Sequence, residues 1–364
     1  MIEKDFIEDM EKAKKATITI KDIAAEANVS LSTVSRVINN SAGVAEDKRR
    51  RVIEAIERHN YRPNLLARGL KSDSTQTIAM LISDGNNEYF GQLTKAIENV
   101  IRPHSYNLFY CNTLSEQDTE ESYLQLMTER QVDGFIINTT GHNNEYIASL
   151  SQKIPTVLLH RRIPCPDFRG DFLDADFGSV SYELCQHLIR NGHRDIGLIC
   201  GPSYLSSHLE RLVNIQRALK MIDVEMGHNH PYYFEGPLTE EFGYQSCHAL
   251  LSMPNPPTAL VISHSSTTIG ALRYFKEKGV HIPQDISFVS PCDVQLADIL
   301  YVEPTCAQPD AWALGERCGQ MMMERILSGN RMVNREAIYA PTISYGNSVL
   351  DLNTNHLERK GHCL

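Results

Sequence analysis

The sequence predicts a small all-α headpiece followed by a much larger α/β core of two parallel-sheet lobes. Three observations lead there. Residues 19–59 carry three short helical patterns, with a turn between the first two. From residue 77, apolar strand-like runs alternate with helical segments, the rhythm of β-α-β units. That rhythm persists for about 280 residues, too many for one such sheet, so two lobes with a cleft between them are expected.

The first 16 residues, "MIEKDFIEDMEKAKKA", are charged throughout and contain no apolar run. They read as a frayed N-terminal extension, not a signal peptide. Residues 17–60 form the expected helix-turn-helix unit. Its first helix spans "TIKDIAAEA", with Thr19 as N-cap and Asp22 three residues on. Asn28 follows, a residue type that tolerates the left-handed backbone of a sharp turn. Ser30 then caps a second helix over 31–38, where Val34, Val37 and Ile38 share one face. Leu31, Ser32, Ser35 and Arg36 lie on the other. A third helix, about 46–59, carries Val52, Ile53 and Ile56.

A short polar-faced helix after a tight turn fits the major groove of DNA. Hydroxyls bond phosphates or base edges there, and one Arg grips guanine through two hydrogen bonds. The bland alternative is an ordinary solvated face. Residues 61–75 read as a hinge: Leu65, Leu66 and Leu70 are spaced as on a helix, but Pro63 and Gly69 keep so short a helix from forming unless it docks.

Charge distribution agrees with one anionic partner met at one end. The chain of 364 residues has a formal net charge of −10, with 42% apolar and 22% charged residues. Residues 17–72 nevertheless hold ten Lys/Arg against six Asp/Glu, a basic unit on an acidic body. Nine cysteines are scattered through apolar segments without a CxxC pair. They read as reduced, buried thiols of a cytoplasmic protein. No apolar run approaches a membrane span. There is no GxGxxG after a strand, no GxxxxGK[ST], no GxSxG and no HExxH, so no catalytic residues, metal or cofactor are expected.

In the core, strands are expected at 77–83, 107–111, 134–138, 155–160, 195–200, 231–235, 258–263 and 285–290. Helices are expected near 89–102, 116–130, 179–191, 208–222, 240–252, 266–278 and 310–328. Trp312, the only Trp, reads as core. "GHNHP" (227–231) reads as a surface turn.

Together "TIKDIAAEANVSLSTVSRVIN", "YRPNLLARGLKS", "DGNNEYF", "RQVDGFIIN", "LIRNGHRDIGLICGP" and "GVHIPQDISFVS" resemble the LacI/GalR (lactose-repressor) family of bacterial transcription regulators. The resemblance implies a periplasmic-binding-protein-like core and a nucleoid-associated cytoplasmic repressor of a carbohydrate-utilisation operon. Its partners would be palindromic double-stranded operator DNA, a sugar or sugar-phosphate effector and a second copy of the chain. The alternatives are a sugar-binding solute receptor without a DNA role, or an effector-independent regulator with a degenerate pocket; an activator in place of a repressor stays open.

Carried over by position, Leu31, Ser32 and Arg36 would read bases. Thr33, Ser35 and Asn39 would grip backbone or shape the helix, and Thr19 would bind phosphate. Leu70, beside Lys71, would wedge into the minor groove at the operator centre. The hinge would couple folding to DNA binding, and an effector in the cleft would alter operator affinity through it. The core would run 76–348, with a first lobe of about 76–174 and 308–330. The second lobe would take about 175–305 and 331–348. The tail 349–364 lacks leucine heptads, so a dimer is expected.

The implied effector residues are Asp84, Tyr89, Phe90 and His160 from the first lobe, with Arg211, His264 and Cys292 from the second. Several of these depart from the family pattern. His160, His264 with Ser265, and Cys292 stand where acids or amides usually bond sugar hydroxyls. Asn87 and Asp176 are retained. Four readings follow: an anionic effector held by Arg211, His160, His264 and Arg161; a neutral sugar bonded differently; a metal on His160, His264 and Cys292; or a degenerate pocket.

Overall fold

The structure, a computed structural model, describes residues 18–38, 42–59, 61, 74–85, 87–292, 294 and 297–353. The predicted extension 1–16, hinge positions 62–73 and tail positions 354–364 lie outside the described residues. The chain divides into two compact units, Met1–Thr75 and Gln76–Leu364.

The first unit holds α1 (Ile20–Glu26), α2 (Leu31–Ile38) and α3 (Glu46–Arg58). The start of α1 is fixed by Asp22, whose carboxylate accepts from the Thr19 backbone N–H at 2.8 Å and from its hydroxyl at 2.7 Å. Asn28 takes a φ of 50° at the turn. Ser30 caps α2 by accepting from the Thr33 N–H at 3.2 Å. Ile23, Val34 and Val52 are fully buried where the three helices meet, with Val37 and Ala55 close behind. Ile53, expected in this core, is 41% exposed. One residue is about 100° of helix, so Ile53 turns away from the stripe that Val52, Ala55 and Ile56 share. Tyr61, read as the start of the hinge, packs on this core instead. Its N–H bonds the Ile56 carbonyl at 2.9 Å.

The second unit has two lobes. The first-lobe sheet contains β1 (Thr77–Ile82), β2 (Asn107–Asn112), β3 (Gly134–Ile137), β4 (Thr156–Leu159) and β5 (Asp171–Ala175). The second contains β6 (Ile196–Cys200), β7 (Tyr233–Glu235), β8 (Ala259–Ile262), β9 (Ser287–Ser290) and β10 (Thr305–Gln308). The orders are β11-β5-β4-β3-β1-β2 and β12-β10-β9-β8-β6-β7, where β11 is Glu336–Tyr339 and β12 is Thr342–Ser344. All pairings are parallel except β10 with β12. Central strands such as "ALVI", and "TIAMLI" after its first residue, are apolar and buried because helices cover both faces of each sheet.

The covering helices of the first lobe are α4 (Glu88–Ile101), α5 (Gln117–Glu129) and α6 (Asn144–Ser151). Those of the second are α7 (Phe177–Arg190), α8 (Ser206–Leu219), α9 (Glu240–Leu251) and α10 (Ser265–Lys278). After β10 the chain returns to the first lobe as α11 (Ala311–Leu327). There Leu314, Cys318 and Met322 join the same buried cluster as Leu93 and Ile97 of α4.

The placement of 331–348 wholly in the second lobe needs correction. Residues 336–339 pair in parallel with β5 of the first lobe, and only 342–344 extend the second sheet. A fully buried ion pair explains the return. Arg325 of α11 donates to Asp171 of β5 at 2.5 Å, and Arg335 meets the same carboxylate at 2.6 Å. The second lobe also runs past the expected end at 348. Leu352 N–H bonds the Asn191 carbonyl at 2.9 Å, and His193 Nε2 lies 3.1 Å from the Leu350 carbonyl. Trp312 is not core. It is 47% exposed and its indole N–H donates to Glu316 at 2.9 Å. Seven of the eight described cysteines are buried and none forms a disulfide. Among the described residues no helix is long and apolar enough to cross a membrane.

Candidate functional site

The headpiece separates its two faces cleanly. On α2, Val34 and Val37 are buried, while Leu31 is 44% exposed and Ser32 and Arg36 face solvent. Thr33 and Ser35 are half-buried. The Thr33 and Ser32 hydroxyls each lie 2.8 Å from Ser30 Oγ, so the cap also orders the first turn of the exposed face. Thr19 is exposed at the start of α1. Asn39, Leu70 and Lys71 lie outside the described residues.

A cleft opens at the carboxyl ends of both sheets, where strand order reverses and ligands of such folds bind. It brings together all seven nominated effector residues. Asp84, Tyr89, Phe90 and His160 line it from the first lobe, and Arg211, His264 and Cys292 from the second. Two bonds span the lobes at its rim. Ser266 at the start of α10 donates to the Asp84 carboxylate at 3.3 Å, and the Arg162 N–H donates to Ser206 Oγ at 2.7 Å.

His160 is already engaged within the chain. Its Nδ1 lies 2.8 Å from Asp174 Oδ1 and its Nε2 lies 3.0 Å from the Tyr89 hydroxyl. A carboxylate only accepts, so Nδ1 carries a proton, and Nε2 is taken up by the Tyr89 hydroxyl, which can donate or accept. The ring therefore fixes Tyr89 in the wall and has no nitrogen left for an effector or a metal. His160 itself sits at a φ of 59°, in the left-handed region. Among the described residues no three His, Cys, Asp or Glu side chains gather as a metal site. Cys292 Sγ lies 3.0 Å from Ser290 Oγ. Asn87 and Asp176 serve as helix caps. They accept from Tyr89 N–H at 3.1 Å and Ser179 N–H at 2.9 Å.

The cationic side of the cleft is stronger than the sequence suggested. Arg161 and Arg211 are 6% and 7% exposed. Arg161 donates to the Thr139 carbonyl at 2.7 Å. Arg211 Nη1 reaches the Ser263 carbonyl at 3.3 Å, and its guanidinium lies 4.7 Å from the Phe177 ring centre. Burial and the facing Arg211 push Arg161 down to about 10. His264 caps α10, with Nδ1 accepting from the Ser266 N–H at 3.3 Å. Burial, then Arg211 and Arg161, pushes its imidazole down to about 3. His208 is held well below its ordinary value by burial and then by Arg211. Both rings are neutral at pH 7.

Sequence reasoning did not nominate His208, Asp174 or Phe177. His208 had a visible signal: it stands one helical turn before Arg211, on the same face of α8. Asp174 and Phe177 flank a crossover that the strand pattern left unassigned.

Comparison with known proteins follows the same division. Residues 19–64 match the lacI family of bacterial regulatory proteins, and residues 185–349 match the periplasmic binding protein-like domain. The HTH-type transcriptional repressor PurR of Aliivibrio salmonicida is 31% identical over 310 residues, covering 85% of this chain and 92% of that protein. The repressor of the same name from Haemophilus influenzae is 30% identical over 311 residues, covering 85% and 91%. Among solved structures, the lac repressor dimer bound to operator and the anti-inducer ONPF superimposes with a TM-score of 0.75 at 21% identity. It covers 92% of this chain and 99% of that one.

Proposed function

The chain belongs to the lacI family of bacterial regulatory proteins and is a helix-turn-helix DNA-binding repressor of transcription; from that premise we propose that it acts as a homodimer on a palindromic operator, gated by a small molecule in the inter-lobe cleft. Leu31, Ser32 and Arg36 read bases. Thr19, Thr33, Ser35, Asn39 and Lys71 hold backbone or shape the reading helix, and Leu70 opens the operator centre. The effector is a sugar or sugar phosphate and the controlled genes serve carbohydrate use. The observation that carries the DNA reading is α2 itself: an N-capped helix whose apolar face is buried, leaving one Arg and small hydroxyls exposed.

Gating follows from linkage. A ligand that favours one arrangement of the lobes shifts operator affinity by its differential affinity for the two arrangements. The test is capture of genomic DNA fragments by the purified protein near physiological salt, followed by sequencing of what stays bound. Enrichment of one palindrome supports the reading. Recovery of no common sequence, with or without cell extract, contradicts it.

A further inference from the structure

We propose that the cleft holds an anionic group of its effector, a phosphate or a carboxylate, between two guanidiniums from opposite lobes, Arg161 and Arg211. This rests on the reading of the cleft as the effector site and names the chemistry that site selects.

The first support is a pair of buried cations with no carboxylate in direct contact among the described residues. Burying a charge is costly unless a counter-charge and hydrogen bonds accompany it. Arg325, the fully buried Arg of the first lobe, follows that rule through Asp171 at 2.5 Å. Arg161 and Arg211 do not. Among the described residues neither has a carboxylate within ion-pair distance, and their protein bonds go to the Thr139 and Ser263 carbonyls. Nearby carboxylates are engaged elsewhere. Asp174 meets His160 at 2.8 Å, Asp84 accepts from Ser266, and Glu120 accepts from Thr140 and Asn143.

The second support is an orphaned donor. Arg211 Nε is buried with no hydrogen-bond partner, as is Arg325 Nε; unlike Arg325, Arg211 meets no carboxylate in compensation, and its Nη1 bonds are long, 3.3 Å to Ser263 and 3.5 Å to His208. An anion between the guanidiniums satisfies such donors with charge-assisted bonds. His208 and His264, kept neutral by burial first and then by these cations, supply shape and uncharged contacts. The positive charge is therefore arginine's and does not titrate near pH 7. Because Arg161 follows β4 and Arg211 lies on α8, a shared anion ties one lobe to the other.

The test is the thermal unfolding midpoint of the full chain titrated with inorganic phosphate or with malonate, at ionic strength held constant with chloride. The wild type should show a saturable rise with at least one of the two anions. Phosphate alone indicates a phosphorylated effector, and malonate alone a carboxylate. Arg161→Met should weaken the response at least about tenfold, the loss of a charge-assisted contact, while Arg161→Lys should restore part of it. No saturable rise with either anion, or an undiminished one in Arg161→Met, overturns the clamp. A clamp that binds anions through Arg161 yet leaves operator affinity unchanged sinks the gating reading alone. Operator affinity that responds to a neutral ligand, with both anions ignored, sinks the clamp alone.

Discussion

At the scale of the residue, the headpiece was the most legible part of the chain. Asn28 at a left-handed turn and Ser30 at a helix start are local choices, set by backbone chemistry within a few residues. Arg36 is the residue on which base choice turns. Arg36→Ala should cost about 1–3 kcal/mol at one guanine position and relax preference there. Fluorescence anisotropy against an operator set substituted at each position measures this, and an equal loss on all DNA would assign Arg36 to the backbone. The cleft residues nominated from sequence line one cavity, but their bonds were not foreseen. The occupied nitrogens of His160 depend on Asp174, which comes from a different strand, and no local pattern announces such a pairing. The neutral imidazoles carry a pH consequence. A His held below its unfolded value is penalised once the unfolded chain takes up a proton that the folded chain refuses. Stability should thus be full above about pH 6.5 and fall as pH drops below it, by up to about 1.4 kcal/mol per unit for each such group. Urea midpoints at pH 7.5 and 5.0 should converge in His208→Gln relative to wild type. Parallel shifts would show that His208 is not a source of the slope.

At the scale of the element, apolar central strands and long amphipathic helices stood out because each buries one full face or two. The strands left unassigned, "DFLDA", "TCAQ", "EAIY" and "TIS", are three to five residues long and mix polar with apolar positions. Two of them, β11 and β12, are edge strands, half solvated, and carry too weak an alternation to be seen. The helix α6, "NEYIASLS", is eight residues and escaped for the same reason. Close helix approach was also invisible in sequence. α9 and α10 pack so tightly that a Cβ on Gly270 would lie 1.9 Å from the Glu240 carbonyl oxygen. Gly270→Ala gains about 1 kcal/mol in helix propensity but forces two backbones apart, at about 1–3 kcal/mol. It should lower the melting temperature. Gly91→Ala, in α4 with nothing within 4 Å of the new Cβ, should raise it. Two shifts of the same sign would remove the steric account of Gly270.

At the scale of the whole molecule, the division into headpiece and core, and the return of α11 to the first lobe, were readable from family resemblance and rhythm. The split of 331–348 was not, because it rests on the ion pairs of Asp171 with Arg325 and Arg335, residues more than 150 positions from it in sequence. The basic headpiece meets phosphates through its Lys and Arg side chains, each contact releasing counterions, so operator affinity should fall with salt in proportion to their number. The effect of a cleft ligand is separate and specific. The most direct test is the dissociation constant for the captured operator, measured with and without the low-molecular-weight fraction of cell extract, for wild type and Arg211→Ala. The account predicts a shift of about 5- to 150-fold in wild type, the usual span of coupling between sites, and little or none in Arg211→Ala. Equal affinity in all four measurements, or the same shift in both proteins, would contradict control of DNA binding from the cleft.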